Sequence, residues 1–122
     1  MKLTRQKFEE VVAQALDGLP QEIADALSNV FVVVEQWPSH ETIEKMNLQN
    51  RYQLLALYEG VPLTKRTTGY NALPDRVTIF QGPIEAVSRT ESELKRQIKV
   101  AVVHEIAHHF GIGDRRLREL GY

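Results

Sequence analysis

The stretch "VVHEIAHHFGIGD", residues 102–114, places polar side chains in an otherwise apolar segment. Three histidines, one glutamate and a closing aspartate interrupt a run of valine, isoleucine, alanine and phenylalanine. Polar groups inside an apolar helix need partners or become costly. We therefore expect these side chains to be satisfied near the core by a bound ion.

The spacing of the first two histidines is that of metal ligands on a helix. His104 and His108 are four residues apart, so they share one helix face with side chains roughly 5 to 6 Å apart. Glu105 lies about 100° further around the helix, where a carboxylate can take a proton from water bound to the metal. Zinc lowers the pKa of such a water to about 7, which makes the transfer feasible at neutral pH.

A catalytic zinc needs a third protein ligand and an open position. Gly111 can leave the helix through a turn with positive φ, and Asp114 can then fold back toward the ion, which gives the pattern HExxHxxGxxD. Two alternatives stay open: Asp114 can instead cap a following helix, and Glu119 is a rival third ligand. Because the chain contains no cysteine, any metal must be held by nitrogen and oxygen ligands.

Hydrophobic periodicity predicts the elements around this segment. A first helix is expected between a Thr4 cap and Gly18, Pro20 favours a second short helix, and a capping box at Thr90 opens a long helix whose apolar face extends to Phe110. Three or four strands are expected, from "VFVVVEQ" as a buried strand, "YQLLALYEG" and "RVTIFQGPIE". The 13 residues "PSHETIEKMNLQN" are expected to form an irregular loop, and "DRRLREL" a last short helix.

Length and composition describe the chain as one domain spanning residues 1–122. With 15 basic and 16 acidic residues, its charge does not indicate a nucleic-acid or membrane partner. The first ten residues contain no apolar run typical of a signal peptide, and no segment is apolar enough to span a membrane. We expect a soluble cytoplasmic protein, for which a monomer is plausible.

Three segments together resemble the small bacterial zincin-like metallopeptidases, which have a minimal zincin fold. They are "LALYEGVPLTKR", "LPDRVTIFQGPIEAV" and "HEIAHHFGIGDRRLRELGY", and the resemblance extends from about Val30 to Tyr122. It implies an α+β domain in which an active-site helix packs beneath a small mixed sheet of three to four strands. It also implies zinc ligands at His104, His108 and Asp114, with Glu105 as the catalytic base.

The leading hypothesis is a zinc-dependent peptidase in which Glu105 activates a zinc-bound water and a peptide or protein substrate adds as a strand to a free sheet edge. The segment from Pro62 to Asp75 is a candidate rim of the cleft. The main alternative is a zinc-binding module of the same architecture that binds a partner without cutting it. A purely structural zinc is a third hypothesis, although structural sites usually have four protein ligands.

Some side chains have less defined expected roles. Candidates for a second donor to the oxyanion are Tyr70, His109 and Tyr122. His109 is otherwise expected at the surface or in support of the ligands. Trp37 is expected in the core.

Overall fold

The computed structural model describes residues 1–60 and 74–122, and these residues form an α+β fold, as predicted. Along the chain, the strands of a small sheet follow two N-terminal helices and precede a long C-terminal helix. In chain order the elements are α1 (Arg5–Asp17), α2 (Gln21–Ala26), β1 (Val30–Glu35), α3 (His40–Lys45), a 3₁₀ helix (Arg51–Gln53), β2 (Ala56–Glu59), β3 (Asp75–Phe80), α4 (Gln81–Ala86), α5 (Glu91–Phe110) and α6 (Asp114–Glu119). Within the two described ranges, no helix is long and apolar enough to cross a membrane.

The sheet is mixed and has the strand order β1-β3-β2. β1 runs parallel to β3, with Val30 opposite Asp75, and β2 runs antiparallel to β3, with Tyr58 opposite Val77. Three strands are therefore present in the described part of the chain, within the predicted three to four. The central strand is the most buried one, and Val77 and Ile79 are fully inaccessible.

β1 differs from its prediction as a buried strand. It lies at the edge of the sheet, four of its six residues are only half-buried, and Phe31 is 60% exposed. A run of β-branched residues favours a strand but does not indicate how many neighbours that strand has. The position of β1 in the sheet, and not its composition, therefore determines its burial.

Two further α-helices were not expected, and neither was the 3₁₀ helix Arg51–Gln53, which overlaps the predicted strand "YQLLALYEG" so that only Ala56–Glu59 of it is a strand. The segment predicted as an irregular loop contains α3, which begins after Ser39, whose hydroxyl accepts the Thr42 N–H at 3.1 Å. The strand predicted for "RVTIFQGPIE" ends at Phe80, and α4 follows at once. Pro83 lies in the first turn of α4, where a backbone N–H has no acceptor within the helix, so proline can occupy this position without losing a hydrogen bond. These corrections concern helices of one or two turns, which are too short for hydrophobic periodicity to reveal.

The helices α1 and α5 pack together and form the core with the sheet. α1 begins as predicted with Thr4, whose hydroxyl accepts the Lys7 N–H at 3.1 Å, and ends at Gly18. Phe8 and Val11 of α1 are fully buried. α1 therefore covers the side of α5 that faces away from solvent.

The helix α5 begins and ends where its caps predict. The Thr90 hydroxyl accepts the Glu93 N–H at 3.1 Å, and Gly111 ends the helix in the left-handed conformation with φ of 71°. The apolar face is buried from Leu94 to Ala107, but Phe110 is half-exposed and so does not continue it. After Gly111 the chain folds back along α5, since the Arg96 guanidinium donates to the Gly121 carbonyl at 3.0 Å.

Candidate metal and catalytic site

The histidines of the motif lie on the solvent side of α5. His104, His108 and His109 are exposed, whereas Ile106 and Ala107 between them are buried at 0% and 1% exposure. The expectation that these polar side chains lie near the core is therefore wrong for the three histidines, and their binding of an ion stays a prediction. The helix lies half in the core, and its 3.6-residue period directs the polar side chains outward.

His104 and His108 share this exposed face as the i, i+4 spacing predicts. Within residues 1–60 and 74–122, neither imidazole has a hydrogen bond or an ion pair with another residue. Their ring nitrogens are therefore free of competing protein partners in this part of the chain. Two imidazoles at this spacing match the nitrogen ligands that zinc prefers.

Glu105 points from α5 to the strand β2. Its Oε2 accepts the backbone N–H of Tyr58 at 3.0 Å, and the residue is half-buried. Leu55 accepts the Phe80 N–H at 3.0 Å, so the alternation of an antiparallel pair turns the backbone groups of Ala56 and Tyr58 away from β3. The carboxylate thus meets the outward-facing edge of β2.

Asp114 is the first residue of α6, not its cap. Gly113 occupies the cap position, and no side chain makes a capping hydrogen bond there. The Asp114 side chain is exposed and has no hydrogen bond or ion pair with another residue of the described ranges. The geometry therefore does not favour the capping alternative, and the ligand role stays a prediction.

Glu119, the rival third ligand, is engaged elsewhere. One of its carboxylate oxygens accepts a hydrogen bond from Arg116 Nη1 at 2.8 Å. Arg116 also donates to Glu22 at 2.8 Å, and the hydrogen bonds to Glu22 and then Glu119 raise its pKa above the usual high value, so it remains a cation. These contacts connect α6 to α2 and give Glu119 a role in that network.

The predicted ligands have the right chemistry but are not gathered into a site. No three His, Asp or Glu side chains lie close enough to hold a metal ion within residues 1–60 and 74–122. Two imidazoles and one aspartate nevertheless form a typical donor set for a catalytic zinc. The residues therefore fit the metal in donor type, and their role as its ligands stays a prediction.

A cleft of about 240 Å³ lies beside the motif, between α5 and the chain that leads into β2. His104 and Glu105 form one wall with Val100 and Ala101, and residues 53–56 form the other. The cleft therefore adjoins β2 at its first residue, Ala56. An extended chain segment in it would lie next to the Glu105 carboxylate.

Tyr58 and Asp75 also contact the motif, which sequence reasoning did not anticipate. The ring of His109 stacks on that of Tyr58 with centroids 3.8 Å apart and 24° between the planes. The Tyr58 hydroxyl donates to Asp75 Oδ2 at 2.6 Å, and His109 Nε2 lies 3.8 Å from the same oxygen. No spacing in the sequence indicates these contacts, because they join three separate elements.

The remaining candidates are the oxyanion donors Tyr70 and Tyr122 and the predicted rim of the cleft. Tyr70 and most of the predicted cleft rim lie outside the described residues. The ring of Tyr122 lies 4.7 Å from the Arg96 guanidinium, and Arg96 precedes His104 by about 12 Å along the helix axis. Tyr122 is therefore poorly placed as an oxyanion donor.

The expectation that Trp37 lies in the core is wrong. Its side chain is half-buried outside the main hydrophobic cluster. The Arg51 guanidinium lies 3.8 Å from the indole centroid, and both residues line a cavity of about 520 Å³. The residues that line this cavity, which include Met1 and Glu85, all differ from those that line the cleft beside α5, so the two are separate.

Comparison with known proteins agrees with this fold. The sequence pattern of the zincin-like metallopeptidases matches residues 27–122, which include β1 to β3, α5 and α6. A solved structure of a conserved hypothetical protein from Thermus thermophilus is 18% identical and superimposes with a TM-score of 0.54, covering 88% of this chain and 94% of that one. No curated protein matches the chain. At this identity the solved structure supports the fold alone, whereas the family match extends over most of the sequence, so the chain belongs to the zincin-like metallopeptidase family.

Proposed function

We propose that this protein is a zinc-dependent peptidase whose metal ligands are His104, His108 and Asp114 and whose base is Glu105. Membership of the zincin-like family supports a metallopeptidase or zinc-binding role in general. The observation that carries the finer proposal is that Glu105 meets the outward edge of β2 beside two imidazoles that make no hydrogen bond or ion pair with the described residues. A base, a metal-binding pair and a peptide-binding edge then lie on one side of α5.

The substrate is an extended segment of a peptide or protein that adds to the edge of β2. Because the Tyr58 N–H already donates to Glu105, the substrate pairs with the outward-facing backbone of Ala56 and lies in the adjoining cleft. This pairing brings a peptide bond of the substrate to the Glu105 carboxylate. Backbone pairing recognises an extended chain with little dependence on its side chains.

Glu105 has one carboxylate oxygen for each of two tasks. Oε2 accepts the Tyr58 N–H and so fixes the orientation of the group, and Oε1 takes a proton from the attacking water. The water oxygen bonds to the scissile carbonyl carbon, and Glu105 then passes the proton to the leaving amine as the C–N bond breaks. Zinc, when bound, supplies a Lewis acid that polarises the carbonyl and lowers the pKa of the water.

A second candidate function is a zinc-binding module that binds a peptide or protein partner at the same edge without cutting it. The contact between Glu105 and Tyr58 favours it, since the carboxylate already has a structural partner. This module uses the same pairing at Ala56. The two functions differ only in whether Glu105 transfers a proton.

Digestion of a complex peptide library by zinc-loaded protein, followed by mass spectrometry, tests the proposal. Glu105→Gln is the matched variant, because its amide oxygen can still accept the Tyr58 N–H but cannot take a proton. We expect cleavage at recurrent positions by the natural protein, and a fall in kcat of about 10²- to 10⁴-fold in the variant at equal zinc content. Absence of cleavage by protein that holds one zinc, with peptides retained equally by both proteins, would instead support the binding module.

A further inference from the structure

Two side chains of α5 hold Tyr58 from the same helix face. Glu105 and His109 are four residues apart and so project together, just as His104 and His108 do on the neighbouring face. Glu105 accepts the backbone N–H of Tyr58, and His109 stacks on its ring. The motif therefore contains two i, i+4 pairs: His104 and His108 are suited to bind a metal, whereas Glu105 and His109 contact the strand β2.

Asp75 adds a third contact to this arrangement. It accepts the Tyr58 hydroxyl at 2.6 Å from the first position of β3, and the same oxygen faces His109 Nε2 at 3.8 Å. We define Tyr58, Asp75 and His109 as the Tyr58 clamp. The clamp joins β2, β3 and the last turn of α5 at Tyr58, the residue whose N–H donates to Glu105.

The ring stack contributes more to the clamp than the contact between His109 and Asp75 does. The side chains of His109 and Asp75 are 40% and 21% exposed, and an exposed pair at 3.8 Å is weakened by solvent and salt. The rings of Tyr58 and His109 are nearly parallel, and Phe110 meets the His109 ring edge-on at 4.9 Å. Such aromatic contacts stabilise a defined ring position beyond the area that they bury.

We propose that His109 is a positioning residue that acts through Tyr58 on Glu105. By holding the Tyr58 ring, it keeps the N–H of the same residue directed at Glu105 Oε2, and this hydrogen bond orients the carboxylate. Its kinetic consequence rests on the proposed peptidase function, whereas its structural consequence does not. Because His109 does not line the cleft and is not among the predicted zinc ligands, we expect its loss to lower kcat and to leave KM and zinc affinity unaltered.

Amide hydrogen exchange at Tyr58 tests the structural consequence in metal-free protein. His109→Ala removes the stack, and we expect the Tyr58 amide to exchange about two- to tenfold faster, as the worth of an aromatic pair predicts. His109→Phe retains an aromatic ring at this position and should restore the slower exchange. His40→Ala is the matched control, because His40 is an exposed histidine on α3 that pairs with Glu44 at 3.1 Å.

The kinetic consequence is tested on the zinc-loaded proteins. We expect kcat of His109→Ala to fall by about two- to tenfold with KM and zinc content unchanged, and His109→Phe to recover most of it. Unchanged exchange at Tyr58 in both variants overturns the inference, and so does faster exchange of equal size in His40→Ala. If the natural protein cleaves no peptide, the proposed function fails while the exchange experiment still decides the role of His109. If His109→Ala does not fold, His109→Leu, which fills a similar volume without an aromatic face, replaces it under the same criteria.

Discussion

Alanine at His104 or His108 should have little effect on the metal-free protein and a large effect once zinc is present. Both side chains are exposed and have no hydrogen bond or ion pair within the described ranges, so each replacement should change the free energy of unfolding by less than about 0.5 kcal/mol. For a chain of 122 residues, 1 kcal/mol corresponds to about 4 °C in Tm. The metal-free variants should therefore melt within about 2 °C of the natural protein.

Zinc should raise the Tm of the natural protein much more than the Tm of the two histidine variants. A ligand that binds only the folded state stabilises it by about 2.7 kcal/mol at a hundred times its Kd, which corresponds to a rise in Tm of about 10 °C here. His104→Ala and His108→Ala should lose most of this rise, because one histidine and one aspartate hold zinc weakly. His40→Ala, at an exposed histidine outside the motif, should retain it.

Calorimetric melts of each protein, with chelator and with zinc, measure both quantities. Asp114→Ala extends the series: a ligand role predicts loss of the zinc-induced rise with a small effect in chelator, whereas a role in α6 stability predicts the reverse. An equal zinc-induced rise in all variants would refute the assignment of His104 and His108 as ligands. A large loss of stability in chelator would refute the reasoning that these side chains have no structural partner.

Two further predictions concern the helix that carries the site. Ile106→Ala should lower the free energy of unfolding, measured by urea titration, by about 2 to 5 kcal/mol. The reason is that Ile106 is fully buried, so its truncation leaves a cavity beneath the motif. A loss below about 1 kcal/mol would contradict this packing. Gly111→Ala should cost about 1 kcal/mol and weaken zinc binding, since Gly111 has φ of 71° and controls the turn toward Asp114. An added Cβ meets nothing within 4 Å, so the cost is conformational, and Gly111→Asn should be tolerated better; equal losses in the two variants would argue against this explanation.

Local rules predicted the helices with clear ends. Thr4 and Thr90 cap α1 and α5 as expected, and Gly111 ends α5, because capping depends on residues within one turn of each other. The same rules did not reveal α3, although Ser39 caps it, because six residues carry too little periodicity. They also did not place the end of β3 at Phe80, although Gly82 and Pro83 follow closely and are residues that interrupt a strand.

The sequence by itself determined that His104 with His108, and Glu105 with His109, share faces of one helix, and that Gly111 lets the chain turn. These properties follow from the 3.6-residue period and from the conformational freedom of glycine, which are local. Only the tertiary structure decided that the histidines face solvent and that Glu105 and His109 both hold Tyr58, which is 47 residues from Glu105. That contact depends on the register of β2 in the sheet and on the packing of α5 against it, and neither is encoded in the spacing of the motif.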